Sequence, residues 1–333
     1  MSLWLAGVVF CLSLALSVIS SLVLARDLDK LGARWHLPEG LMGIITALGA
    51  DTPEISAAVA ALIGSRHDLG LGVVLGSNLF NLAALLGVSA IIAGEVRMAQ
   101  AGTLFNGGVA VVVTGIATML LLGTIPPIWS IVLISVTLLP YTMLSALRAP
   151  QIKRLPLPGA VEQFFCDAVE HGHRNARKDE MAPEASGYEM LSTVPALVAI
   201  VLASVGLVRS ATTLADHWRI PDTIVGLLIL STLTGIPNVL TAIRLALRGR
   251  GVAVVTETLN SNSLNVLSGL CLPTLILGLG TVTTTTSLSA WWLLGMTVLA
   301  VGLTFIREGL HRLGGIAIIV LYIVYVVTVI FGI

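Results

Sequence analysis

The chain has 333 residues, 56% of them hydrophobic and 11% charged, with 18 basic and 18 acidic side chains and no net charge. A soluble domain carries about a quarter charged residues, so this composition excludes one and describes an integral membrane protein. Zero net charge argues against a nucleic-acid partner, and the scattered Cys11, Cys166 and Cys271 match neither a metal spacing nor a disulfide framework.

Apolar stretches recur along the chain, each near the ~20 residues that cross the hydrocarbon core as a helix. Ten spans are expected, at about 2–25, 40–64, 69–93, 101–122, 127–147, 191–210, 221–247, 252–279, 286–306 and 313–332. The alternating pattern of a membrane barrel is missing. The first run, Leu3 to Ala25, is too long for a signal-peptide core and lacks a basic start, so it is expected to be the first span. One long polar segment, 148–190, separates a first half, 1–147, from a second, 191–333, with five spans in each.

Lys and Arg set the orientation. Fifteen of them lie in connections after odd-numbered spans or at the end of span seven, and three, Arg66, Arg209 and Arg219, follow even-numbered spans. That split places the 148–190 loop in the cytoplasm and both termini outside. With an odd number of spans per half, the second half runs inverted relative to the first. The expected fold class is an all-α membrane protein: ten transmembrane helices as two inverted five-helix repeats.

In the loop, Val161, Phe164, Phe165, Ala168 and Val169 fall at helical spacing. They predict a short amphipathic helix on the cytoplasmic membrane face, with Cys166 open to an aqueous thiol reagent. Glu170, His171 and His173 are too few for a metal site, so a solvated connecting loop is expected.

Two stretches stand apart from the apolar background. Thr46 to Asn81 and Leu230 to Asn265 align without a gap at an offset of 184, pairing Pro53 with Pro237, Ser77 with Ser261, Asn78 with Asn262 and Asn81 with Asn265. Paired half-sites in an apolar chain are the mark of a transporter built from repeats. Asp51 and Glu54 lie about mid-span, where an acid costs several kcal/mol unless it is paired, protonated or hydrated. Their i, i+3 spacing puts them on one helix face.

Pro53 removes a backbone donor and Gly49 weakens the helix, which predicts a break with freed carbonyls around Ala47 to Ala50. Ala47 and its equivalent Ser231 are the expected carbonyl ligands. Carbonyl and carboxylate oxygens together are ligands for hard cations. Ser77 and Asn81 share a face at i, i+4, and Ser261 and Asn265 repeat them. Asn78, one step round, is expected to bond a neighbouring carbonyl instead. Glu257 shares the face of Ser261 and Asn265 and is expected about 6 Å from the level of the former. There it would line a cytoplasmic vestibule or pair with Arg248 or Arg250.

Gly49-x-x-x-Pro53-Glu54 followed by Gly76-Ser77-Asn78-Leu79-Phe80-Asn81 resembles the first alpha-repeat of the sodium/calcium exchanger superfamily of cation antiporters. Thr234-x-x-Pro237 with Ser261-Asn262-x-x-Asn265 resembles the second. The repeats would occupy about 40–90 and 221–275. The resemblance implies a midplane cation site made of Glu54, Ser77, Asn81, Asn238, Ser261 and Asn265, with Asp51 and Thr234 beside them. Glu54, Asn81 and Asn265 would be the metal ligands. It implies no cofactor beyond the transported Ca2+, Na+ or H+. The implied partners are inorganic cations and the lipid bilayer of a prokaryotic inner membrane. Oligomeric state is left open.

The departures redistribute charge. Asn238 stands where the family has Glu, Ala50-Asp51 replaces its Thr-Ser, and Glu257 takes the place of a family Asn, which is Val73 in the first half. Two close carboxylates disfavour double ionisation, which admits proton coupling beside sodium coupling. Sodium/calcium exchange is the family default. A cation/proton antiporter is the alternative, and a non-transporting membrane sensor is a third reading, argued by Asn238. A channel is disfavoured because the acids form no ring. An enzyme is disfavoured because no zinc-protease pair, phosphate-cradling loop or nucleophile–base pair is found.

Overall fold

The computed structural model describes residues 1–35, 39–147, 149–176 and 188–332. The first half contains α1 (Leu3–Arg34), α2 (Glu39–Ala50), α3 (Thr52–Ile63), α4 (His67–Asn81), α5 (Ser89–Ala93), β1 (Glu95–Arg97), α6 (Gln100–Leu121) and α7 (Pro127–Ser145). The short α8 (Ala149–Ile152) and the longer α9 (Gly159–Ala176) lie between the halves. The second half contains α10 (Tyr188–Trp218), α11 (Asp222–Ile224), α12 (Ser231–Leu247), α13 (Gly251–Asn265), α14 (Leu272–Leu277), α15 (Thr284–Ile306), β2 (Gly309–His311) and α16 (Arg312–Phe331). Three π-helical stretches, Leu82–Val88, Val225–Leu230 and Val266–Cys271, join α4 to α5, α11 to α12 and α13 to α14.

Among the described residues, eight continuous helices are long and apolar enough to cross a membrane. The two other expected spans take different forms. Glu39–Ile63 is divided at Asp51 into two 12-residue helices. Gly251–Leu277 carries the polar run of α13, in which Glu257, Thr258, Asn260, Ser261, Asn262, Ser263 and Asn265 are all buried. Polar side chains buried in that number need partners inside the protein, because lipid supplies none.

The stretch His67–Ala93 is the axis of the molecule: 89% of its most apolar part is buried, against 22% for α1 and for α16. It packs against Val225–Leu230, where a Cβ on Gly76 would overlap the Leu227 carbonyl and one on Gly226 would overlap that of Leu69. Glycine is needed at these points because two backbones cross in contact. The outer helices expose Leu5, Leu12, Val136, Leu202, Ile323 and their neighbours, as a lipid-facing layer does.

Connections expected on one side do meet. The connections before α6 and α16 pair as a two-stranded antiparallel ribbon, Val96 opposite Leu310, with Gly251 closed against the Arg97 backbone. At the other side Arg66, which precedes α4, binds Asp216 of α10 at 2.8 Å and Asp222 of α11 at 3.2 Å. Three-residue strands are too short to show in a hydrophobic pattern, so the ribbon is legible only in the fold.

The expected loop helix forms as α9, but its apolar face is used differently. Phe165 packs on Phe105 of α6, and Cys166 and Val169 are buried with Ile152. Cys166 is 6% exposed and sits against the Ala149 carbonyl, so it is a packed residue and not the open thiol expected. The side chains of Glu170, His171 and His173 lie outside the described residues.

Candidate cation site

Four elements bring the site together: the α2–α3 break and α4 from the first half, α12 and α13 from the second. Pro53 sits in the first turn of α3 and Asp51 caps it at φ −85°, ψ −3°. The helix therefore stops for one residue and starts again, with Glu54 in its first turn. A helix start favours negative charge, because its unpaired N–H groups carry the positive end of the dipole. The break is tighter than expected. The Ala47 carbonyl is not freed; it accepts the Asp51 N–H at 2.9 Å. The Leu48 carbonyl accepts the Thr52 hydroxyl at 2.9 Å. In the second half no break occurs. α12 runs on through Pro237, and the hydroxyls of Ser231 and Thr234 bond back to the carbonyls of Leu227 and Leu230 at 2.6 and 2.8 Å.

The acids meet the second half through donors. Asn238 Nδ2 donates to Asp51 Oδ1 at 3.0 Å and to Glu54 Oε1 at 3.3 Å. Ser261 Oγ donates to the same Asp51 oxygen at 2.7 Å and accepts from Asn81 Nδ2 at 2.9 Å. One continuous network thus joins Asp51, Glu54, Asn238, Ser261 and Asn81. Asp51 is 0% and Glu54 1% exposed, so these charges sit where water cannot reach them.

Next to the network, Asn78 Nδ2 donates to the Asn262 carbonyl at 3.1 Å and Asn262 Nδ2 donates to the Asn78 carbonyl at 3.3 Å. The partners are repeat equivalents, as are Glu54 and Asn238, so each half reaches the other by the same move. Asn78 bonds a carbonyl, as expected for it.

The arrangement leaves many acceptors free. Asp51 Oδ2, Glu54 Oε2 and the amide oxygens of Asn78, Asn81, Asn262 and Asn265 are buried without a hydrogen-bond donor. Buried acceptors are ordinarily satisfied, and a cluster of carboxylate and amide oxygens is the donor set of a hard cation. Among the other expected site residues, Ser77 bonds only its own helix, to the Val74 carbonyl at 3.1 Å. Asn265 is buried near the end of α13 outside the network. Glu257 is 7% exposed, so it is a packed acid and not an open surface one.

Four neighbours, Gly235, Tyr141, Asn106 and Asn260, escape sequence reading. Gly235, the equivalent of Asp51, makes room for the Phe80 ring; a Cβ there would come within 2.9 Å of it. The Tyr141 hydroxyl lies 2.7 Å from Asn106 Oδ1 and 2.6 Å from the Asn260 amide. Asn106 is held by its own amide bond to the Gly102 carbonyl at 2.8 Å. Both partners present an amide oxygen to Tyr141, Asn106 Oδ1 and Asn260 Oδ1, and its single hydroxyl hydrogen is donated to one of them at a time. The signal for Asn260 was its place in the run Asn260-Ser261-Asn262, where the first half has Gly76.

A nearly all-helical, membrane-embedded chain with two half-sites facing across a buried acid pair is the architecture of an ion-exchange transporter. The sodium/calcium exchanger protein family matches twice, over residues 5–146 and again over 190–331, and the chain belongs to that family. With CaxA of Alkalimonas amylolytica it shares 38% identity over 101 residues, 30% of this chain; the match spans about a third, 32%, of CaxA. The crystal structure of the H+/Ca2+ exchanger CAX superposes with a TM-score of 0.71 at 15% identity, covering 97% of this chain and 82% of that one. The sodium-calcium exchanger NCX_Mj superposes at 0.64 and 18% identity, covering 98% and 99%. Both likenesses speak for the fold.

Proposed function

We propose that the protein is a secondary active cation antiporter of the sodium/calcium exchanger type, moving cations by alternating access around Asp51 and Glu54. The single observation that carries this reading is the buried network joining Asp51 and Glu54 to Asn238, Ser261 and Asn81, whose acids and Asn81 each keep a buried acceptor oxygen without a donor. Two ionised acids at mid-depth are stable only with a cation or protons beside them. Glu54, Asn81 and Asn265 are the proposed metal ligands. Ser77, Thr234 and the Ala47 and Ser231 carbonyls form the surrounding wall. Glu257 lies on the approach from the ribbon side. The eight long helices, Glu39–Ile63 and Gly251–Leu277 together make ten spans in two inverted halves, with the 148–190 loop in the cytoplasm. The double family match, one per half, supports that division.

The test is calcium uptake by the purified chain in proteoliposomes under an imposed sodium gradient, and separately under a pH gradient. Sodium-driven uptake fits the family default. Uptake driven only by the pH gradient selects the cation/proton reading, which the close Asp51–Glu54 pair supports. No uptake under either gradient, with sodium, potassium and manganese also tried, sinks the transport reading and leaves the sensor. Orientation is checked with a cysteine placed at the exposed Gln163 in a Cys166→Ser background. An impermeant thiol reagent should label it in inside-out vesicles and not in intact cells.

A further inference from the structure

Four charged side chains are buried among the described residues, and all are acids: Asp27, Asp51, Glu54 and Glu257. No Lys, Arg or His is buried with them. Asp27 accepts the Ser192 hydroxyl at 2.6 Å and lies about 36 Å along α1, beyond the ~30 Å hydrocarbon core. Glu257 lies about 9 Å from the ribbon-side start of α13, near the edge of that core. Asp51 and Glu54 are the pair at mid-depth. The side chains that touch them, Asn238 and Ser261, are neutral and act as donors.

The second half also has no room for another acid at the place equivalent to Asp51. Gly235 lies against the Phe80 ring, and even a Cβ would come within 2.9 Å of it. Both charges therefore sit on one half, and the centre carries two negative charges when both acids are ionised.

We infer that each passage carries two positive charges: one divalent cation in one direction and two monovalent cations in the other, with no net charge moved. This inference rests on the centre being the transport site. Its physical basis is charge balance in a water-excluded site. One divalent cation or two monovalent ones neutralise two carboxylates, so the loaded centre crosses the field uncharged either way. A third monovalent cation would leave one uncompensated charge buried in low dielectric. One net charge per cycle would couple the cation gradient to voltage by on the order of 50-fold per 100 mV, the equivalent of ~2.3 kcal/mol.

The experiment is calcium accumulation by the full chain in proteoliposomes, with the membrane potential clamped at zero and at about −100 mV by potassium and valinomycin. A sodium gradient drives one arm and a pH gradient the other. The expected result is a calcium plateau that agrees between the two clamps within about twofold, in whichever arm supports uptake. Asn238→Glu adds a third acid, and its plateau should shift with voltage by more than about tenfold. Glu257→Gln should keep the voltage independence. A wild-type plateau that moves more than about tenfold with voltage overturns the charge balance and leaves the transport reading standing. Voltage dependence appearing in Glu257→Gln puts that acid in the count and overturns the two-acid balance. If no gradient drives uptake in either arm, the transport reading fails and this inference fails with it.

Discussion

The two halves share a register and divide the chemistry. At the same offset, the first half has Asp51 and Glu54 where the second has Gly235 and Asn238. The first half breaks its helix at Asp51, while the second passes Pro237 unbroken. Both prolines remove the same backbone donor, so proline alone does not make the break. The second half has a π-helical turn at Val225–Leu230 just upstream, and the first half has no counterpart there. The Ser231 and Thr234 hydroxyls cover carbonyls in that region. A repeat thus supplies geometry, and each copy is then free to specialise: one holds charge, the other presents donors to it.

The strongest way to break this division is to change equivalent residues. Glu54→Gln should reduce cation transport to about 1% of wild type or less, since it removes a midplane charge without changing shape. Asn238→Ala should cost about tenfold, the loss of a donor shared by two acids. Uptake rates with circular dichroism as a fold check measure both. Equal losses would mean that the halves contribute equally and that the division is wrong.

A second pair sharpens the same contrast. Asp51→Ser should weaken divalent affinity about 10- to 100-fold and flatten the pH dependence of transport, because a single acid remains. Gly235→Ser should leave affinity near wild type and lower stability by about 1–3 kcal/mol through overpacking on Phe80. Calcium-dependent thermal shifts separate affinity from stability. An affinity loss at Gly235→Ser larger than at Asp51→Ser would reverse the assignment.

Smaller effects come from the residues that seat the helices. Gly76→Ala should cost about 3 kcal/mol, because the added methyl meets the Leu227 backbone. At the equivalent position, Asn260→Ala should cost about 1–2 kcal/mol, the loss of its bond to Tyr141. Denaturation in detergent, followed by intrinsic fluorescence, gives the order. The smallest effect is expected at the rim. Arg66→Gln removes half-exposed ion pairs to Asp216 and Asp222 and should change stability by at most about 1 kcal/mol. That difference should shrink further at high salt.

Composition and periodicity by themselves determined that the chain is a membrane protein of long helices in two halves, because apolar length and the 184-residue offset are local properties. The paired spacing also picked out Asp51, Glu54, Asn81 and Ser261, since polar side chains at matching places within apolar spans are conspicuous, while Asn238 came from the resemblance to the family's second alpha-repeat. Hydrogen-bond roles were not legible. Asn238 acts as a donor to two acids, Ala47 keeps its carbonyl in a helical bond, and Cys166 is buried; each depends on what lies across the interface. The short ribbon and the π turns after Asn81 and Asn265 were equally hidden, because they follow from how the two halves meet and leave no period in the chain. Tertiary structure alone decided that Gly76 meets the Leu227 backbone and that Gly235 gives its space to Phe80. Both outcomes are set by a backbone or ring more than 140 residues away in the chain, and sequence spacing carries no record of that distance.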